Sequence, residues 1–368
     1  YEITCRDWSS GVCSSDLAAH MALEGAEVTL FNRTYAHIEV IAKRGGIELD
    51  SYEGGPVGFG KLKLVTSDME LALKDAEVIM VATPASAHRN VAQMAAPYLK
   101  DGQIVILNPG RTFGAIEFDR TLRDMGCEAD VIVAETETLI YACRAEGPAQ
   151  AYIFRIKDAI PLAALPSVKN QTVLNAIAGV YPQFIDGVDV LHTGLNNMGA
   201  IFHPALTILN AARIESTRGN FEFYIEGVTD SVAAVLEAID RERVTVASSL
   251  GIRARTAMEW LRVAYNVGGS NLNEAIHNQT GYMGIKAPGT LNHRYIFEDV
   301  PMSLVPIASL GESYGGSVRG MDSLIRMACI IHGTDYWRRG RTMDKLGMKG
   351  LTIEEIHHYV HHGILHED

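Results

Sequence analysis

Two side chains in the C-terminal half offer the clearest chemistry, His203 and Asp299. An imidazole gives and takes protons near neutral pH, and a carboxylate beside it fixes its tautomer and raises its basicity. His203 lies in a largely apolar stretch, 191–216, that also holds Asn196, Asn197 and Asn210. On a helix His203 and Asn210 share a face, and Asn196 falls on the same side. Polar groups lined up on an apolar helix need partners, so the group reads as a site rather than as one core histidine. Pro204 fits a first turn or a kink. Asp299 sits among Arg294-Tyr-Ile-Phe-Glu-Asp-Val-Pro301, where taken alone it would read as a turn or capping acid. Only the fold can join it to the histidine.

The elements that must position these groups fall into two halves. Buried strands are expected at Glu27–Phe31, Glu77–Ala82, Gln103–Leu107 and Asp130–Ala134, with helices at Ala36–Arg44, Ala87–Leu99 and Phe113–Met125. Short apolar strands alternating with helices imply a doubly wound, Rossmann-type parallel sheet, an α/β fold. Ligands of such sheets bind at the strand carboxyl ends. The turns Asn32-Arg33-Thr34, Thr83-Pro84 and Asn108-Pro109-Gly110 fall there, and they are the expected cofactor contacts. From about Phe184 the pattern turns helical, with stretches at 196–214, 226–250, 254–265 and 320–332. The domains are therefore expected at 1–183, dinucleotide-binding, and 184–368, mainly α-helical.

The phosphate loop is where the pattern fails. Ala18–Gly25 reads as the end of a first helix, so a Gly-x-Gly-x-x-Gly turn belongs at positions 9–14. The sequence there is Ser9-Ser10-Gly11-Val12-Cys13-Ser14, and only Gly11 matches. Residues 7–17 also resemble the translation of a common sequencing-library adapter, one residue off, and read as an overwritten glycine loop, with a divergent native loop as the competing reading. Where NAD-binding sheets place an acid for the ribose hydroxyl, this chain has Asn32 and Arg33. A guanidinium there accepts a 2′-phosphate, so NADP is expected over NAD.

Composition removes several classes. The formal charge is −12, which disfavours a nucleic-acid surface. No apolar run is long enough to span a bilayer, and no cleavable signal is visible. The five cysteines (Cys5, Cys13, Cys127, Cys143, Cys329) show no paired spacing, which fits a reducing, cytoplasmic setting. The tail carries His357/His361 and His358/His362, each at metal-ligand spacing, but no further ligand completes a set, so a polar helix face is expected and no metal.

Residues 18–350 resemble opine dehydrogenases of the octopine/nopaline type. The likeness is carried by Asn32-Arg33, Thr83-Pro84-Ala85-x-Ala87-His88, Asn108-Pro109-Gly110-Arg111 and Glu135-Thr-Glu-Thr-Leu-Ile-Tyr-Ala-Cys-Arg144. It continues through Asn196-Asn197-Met-Gly-x-x-x-His203-Pro204, Tyr224-x-Glu-Gly227, Arg294-Tyr-x-x-Glu-Asp299-Val-Pro and Gly340-Arg-Thr-Met-x-x-Leu-Gly347. The resemblance implies a Rossmann domain joined to a helical substrate domain, with the active site in the cleft. It implies condensation of an α-keto acid with the amine of an amino acid and reduction of the imine by NAD(P)H. His203 would be the acid/base and Asp299 would hold it. Asn196 or Asn197 would position cofactor or substrate, and Arg144, Arg294 or Arg319 would bind carboxylates. The partners expected are these small molecules, with no nucleic acid and no membrane; a homodimer is open.

Two other readings stand beside this one. One is an NADP-dependent 2- or 3-hydroxy-acid or keto-acid reductase, and the other is a non-catalytic dinucleotide-binding sensor. Related two-domain reductases that rely on a catalytic lysine in the helical domain are disfavoured, because no lysine occurs between Lys169 and Lys286.

Overall fold

The computed structural model describes residues 2–7, 14–52 and 55–364. Gly11, Trp8 and Cys13 lie outside the described residues, so the phosphate-loop reading does too. The chain forms two compact units, one running to Thr193 and resuming at Glu354, the other Gly194–Ile353.

The first unit is built on an eight-stranded sheet. Its strands are β1 (Glu2–Asp7), β2 (Glu27–Asn32), β5 (Leu64–Thr66), β6 (Val78–Val81), β7 (Ile104–Leu107), β8 (Ile132–Thr136), β11 (Ile160–Leu165) and β12 (Phe184–Asp186), in the spatial order β12-β11-β8-β7-β6-β1-β2-β5. From β5 to β8 all neighbours are parallel, and β11 joins β8 antiparallel. Every residue of β6 and β7 is buried, as expected for central strands with both faces covered. All four strands read from the sequence are present within one or two residues at each end. The first helix, Ser14–Leu23, is the next described element after β1.

A second sheet of four strands was not expected. It is β3 (Gly46–Ser51), β4 (Gly58–Lys61), β9 (Tyr141–Gly147) and β10 (Gln150–Ile156), in the order β4-β3-β10-β9. It packs on the helix Ser14–Leu23. Gly60 permits the approach, since a Cβ there would sit 2.7 Å from the Ala19 backbone. His20 on the same helix is buried and meets the Tyr141 hydroxyl at 2.6 Å, which in turn donates to the Tyr181 hydroxyl at 2.8 Å.

The unit boundary falls at 193/194 and not at 183/184. The cause is pairing: β12 continues the large sheet beside β11, so residues to Asp186 cannot leave it. The C-terminal helix Ile353–His362 also returns to the first unit. It buries Ile356, Tyr359 and Val360, and Tyr359 donates to Asp119 Oδ2 at 3.2 Å. The tail histidines follow from that docking: His361 meets Ser167 Oγ at 3.0 Å, and His358 and His362 lie ring to ring.

The second unit is helical. Its long helix Asp230–Ser249 packs on Gly199–Leu209, Leu272–Asn278, Val305–Tyr314 and Arg319–His332. Thr229 caps it, and Thr256 with Glu259 forms a capping box on Ala257–Tyr265. Within its core Arg243 is fully buried and is satisfied by Asp240 Oδ1 at 2.6 Å and by the carbonyls of Leu195 and Arg255. No helix among the described residues is long and apolar enough to cross a membrane.

Candidate active site

His203 is placed by the helix Gly199–Leu209, and Asp299 by the turn after the helix Arg294–Phe297. From Asp299 the chain enters a π-helical turn, Val300–Leu304, which runs on into Val305–Tyr314. Such turns are uncommon and concentrate at functional sites. His203 Nδ1 and Asp299 Oδ2 are 2.8 Å apart. The carboxylate can only accept, so Nδ1 carries the proton and donates, which leaves Nε2 as the basic nitrogen. The imidazole is 20% exposed and the carboxylate 0%. This burial asymmetry suits a proton carrier that reaches substrate and an anchor that does not.

The imidazole is also held by its face. Tyr295 stacks on His203 with centroids 4.0 Å apart and planes inclined by 20°. Phe223 in turn lies near-parallel to Tyr295, with centroids 5.5 Å apart and planes inclined by 20°. His293 meets Tyr295 edge-on at 4.5 Å, and burial, then Arg294 and His203, lowers its pKa. Tyr224 beside them is held neutral: burial, then Tyr295, raises its phenol well above the ordinary range.

The polar line expected along one helix is rearranged. The stretch 196–214 is two helices, Gly199–Leu209 and Ala211–Thr217, broken at Asn210. Asn210 donates to the carbonyls of Leu206 and Gly227 at 2.9 Å each. Pro204 stands inside the first of these helices, beyond its first turn. Asn196 Oδ1 accepts from Arg255 N at 2.9 Å, and Asn197 donates to Ser303 Oγ at 2.9 Å. The Ser303 bond ties the segment before His203 to the π-turn after Asp299. Of the arginines, Arg294 is paired with Glu298 at 3.1 Å, Arg319 is exposed at the start of its helix, and Arg144 lies on β9.

In the first unit the expected cofactor residues gather at the strand carboxyl ends. Asn32 ends β2 and accepts from Thr34 N at 2.8 Å, while Arg33 and Thr34 are exposed. Thr83-Pro84 follows β6, and Asn108-Pro109 follows β7 with a cis bond between them. Thr83 Oγ1 and Asn108 Nδ2 are buried and have no hydrogen-bond partner among the described residues. Buried polar atoms are normally satisfied, so two orphaned ones on adjacent strand ends point to a polar ligand. Their types fit a dinucleotide, whose phosphate and carboxamide oxygens accept from a hydroxyl and an amide.

Glu135 and Tyr295 were legible in the sequence only as members of motifs. Glu135 is fully buried; it accepts from Ala115 N at the start of helix Gly114–Asp124 and from Thr193 Oγ1, at 2.7 Å each. Gly110 presses against it, since a Cβ there would lie 2.4 Å from Glu135 Cβ. Arg111 and Phe113, with φ of 60° and 61°, hold the loop in the left-handed region. Lys157 lies beyond, donating to Thr138 Oγ1 and Leu139 O at 2.8 Å each, its ammonium pushed down to about 8 by burial and then by Arg111.

Comparison with known proteins bears on this arrangement. An opine dehydrogenase of Arthrobacter sp. (strain 1C) is 38% identical over 339 residues, 92% of this chain and 93% of that one. The chain belongs to the opine dehydrogenase family. A family model described as NAD/NADP octopine/nopaline dehydrogenase, alpha-helical domain, matches residues 187–332. Opine dehydrogenases are NAD(P)-dependent oxidoreductases that join an α-keto acid to the amino group of an amino acid, and this chain is one of them. The fold agrees with a structure of octopine dehydrogenase in complex with NADH and agmatine, at TM-score 0.79 and 21% identity over 96% of this chain and 97% of that one. It also agrees with NADP+-bound yersinopine dehydrogenase, at TM-score 0.75 and 16% identity over 98% of each chain.

Proposed function

We propose that His203 and Asp299 are the proton-handling pair of this opine dehydrogenase. The observation that carries the reading is the 2.8 Å Nδ1–Oδ2 bond between a part-exposed imidazole and a fully buried carboxylate. His203 Nε2 takes a proton from the incoming ammonium, which frees the amine to attack the keto carbon. The imidazolium, stabilised by Asp299, returns that proton to the hydroxyl of the adduct. Water leaves and a C=N bond forms, with its nitrogen protonated. When bound, NAD(P)H supplies the hydride that reduces this carbon to the secondary amine. Asp299 keeps the imidazole in one tautomer throughout. Thr83, Asn108 and Pro109 would hold the cofactor, with Asn32, Arg33 and Thr34 at its ribose. Arg33 supports NADP over NAD, because an exposed guanidinium there matches a 2′-phosphate. Asn196 and Asn197 act by fixing the segment that carries His203. Arg144 and Arg294 are the candidates for substrate carboxylates, and Arg294 must exchange Glu298 to serve.

The test is an assay of NADPH oxidation with pyruvate, with and without amino acids. Oxidation only when an amino acid is present is the expected result; oxidation with keto acid alone would favour a hydroxy-acid reductase. His203→Ala is expected to abolish turnover while cofactor titration is unchanged. Equal loss of both would make the residue structural and leave the sensor reading standing.

A further inference from the structure

Where the chain of the first unit passes between its two sheets, one side chain ties the crossing together. Residues 137–140 leave β8 of the large sheet for β9 of the second, and 157–159 return from β10 to β11. The two segments are bonded to each other, Lys157 N donating to Ile140 O at 3.0 Å. Lys157 Nζ closes the crossing by donating to Thr138 Oγ1 and Leu139 O at 2.8 Å each. Among the described residues no carboxylate stands at ion-pair distance from this ammonium, and both of its acceptors are neutral. Burial and then Arg111 push its pKa down to about 8, against the pull of Glu137 and Cys143. A neutral amide could make the same two bonds without the cost of enclosing a charge, so the charge itself calls for a use.

Thr136, the last residue of β8, is fully buried and grips the loop that carries Asn108. Its carbonyl accepts from Gly110 N at 3.1 Å. Its Oγ1 stands 3.1 Å from Asn108 Oδ1 and 3.0 Å from Thr138 O. A hydroxyl has one proton, so it serves one of these oxygens at a time. Given to Asn108 Oδ1, the proton fixes the amide and leaves Nδ2, which has no partner among the described residues, as a donor for a ligand. Given to Thr138 O, it lets the amide turn over and present its oxygen instead.

We propose that Lys157 is a positioning residue for the cofactor: its charge at Thr138 turns the Thr136 proton toward Asn108 and so holds the Asn108 amide as a hydrogen-bond donor. The inference rests on the cofactor role given to Asn108 above and names what sets that role. The ammonium is bonded to Thr138 Oγ1 and Leu139 O, so it weakens the neighbouring Thr138 carbonyl as an acceptor, and the hydroxyl proton is favoured on the Asn108 side. A dinucleotide oxygen at the amide is then met by N–H. With the amide reversed it would meet a second oxygen, and the contact would become repulsive.

The experiment titrates NADPH into the full chain, follows binding by its fluorescence, and measures urea midpoints in parallel. Lys157→Gln, which can make both bonds without the charge, is expected to weaken binding about fivefold, the scale of one hydrogen bond. Lys157→Arg keeps the charge and is expected to stay within about twofold of the unmodified chain. Wild-type affinity in Lys157→Gln would overturn the proposal. Thr136→Val keeps the shape, loses the hydroxyl and is expected to cost about fivefold as well. Adding Lys157→Gln to it is then expected to cost nothing more, because the charge acts through that hydroxyl. A lysine that only holds the fold would lower the urea midpoint and leave the two losses in affinity additive, and additive losses would also overturn the proposal. Asn108→Ala separates the two readings. Unchanged NADPH affinity in that variant removes Asn108 from the cofactor site and the proposal with it. A loss there with none in Lys157→Gln keeps Asn108 at the cofactor and overturns only the role given to Lys157.

Discussion

At the scale of residues the pair His203–Asp299 sets the expectations. Replacing Asp299 by Asn keeps the shape but offers the imidazole a donor or a weaker acceptor. The tautomer is then no longer fixed, and kcat is expected to fall about 10²–10⁴-fold while cofactor affinity is kept. Steady-state kinetics with a parallel cofactor titration checks this. Arg33→Asp places an acid beside the ribose and is expected to shift the NADPH:NADH ratio of kcat/KM toward NADH by about tenfold or more. An unchanged ratio would remove Arg33 from the cofactor site. His203 was legible as a residue type, since an apolar stretch with a histidine and asparagines is unusual, whereas Asp299 taken alone reads as a turn or capping acid. Their contact was legible only through the family resemblance, because nothing local links positions so far apart in sequence. Tyr295 was hidden for another reason: a stacked ring leaves no signature in spacing, and its neighbours look like ordinary core.

At the scale of elements, the loop after β7 and its buried acid form one device. Gly110 has no room for a side chain, since an added Cβ would lie 2.5 Å from the Glu135 carboxylate. Gly110→Ala is expected to destabilise the first unit by about 1–3 kcal/mol, as overpacking does, and to weaken cofactor binding with it. Urea midpoints and a cofactor titration measure the two effects. The central strands and most helices were legible because β6 and β7 are apolar throughout and the helices stop at Gly or Pro. The second sheet was not. Its strand β4 reads Gly-Phe-Gly-Lys, a pattern closer to loop than to strand, and β3 begins at the glycine just after a helix stop. Asn210 misled for the opposite reason: its spacing matched a helix face, but its amide bonds carbonyls and ends the helix.

At the scale of the whole molecule, acid sensitivity follows from one buried imidazole. Burial lowers the His20 pKa from 6.5 to about 4. The unfolded chain therefore binds a proton that the folded one refuses, so this stability is complete above pH 6.5 and is lost as pH falls toward 4. Between pH 7 and pH 5 the loss is about 2 kcal/mol. Urea unfolding at the two values measures it, and His20→Gln is expected to flatten the dependence. The return of the chain at Glu354 has a different consequence. Because the first unit is interrupted and the second is one uninterrupted run, a gene fragment spanning 194–353 is the natural piece to transplant between relatives. Any attempt to express the nucleotide half by simple truncation would discard the helix that covers Asp119.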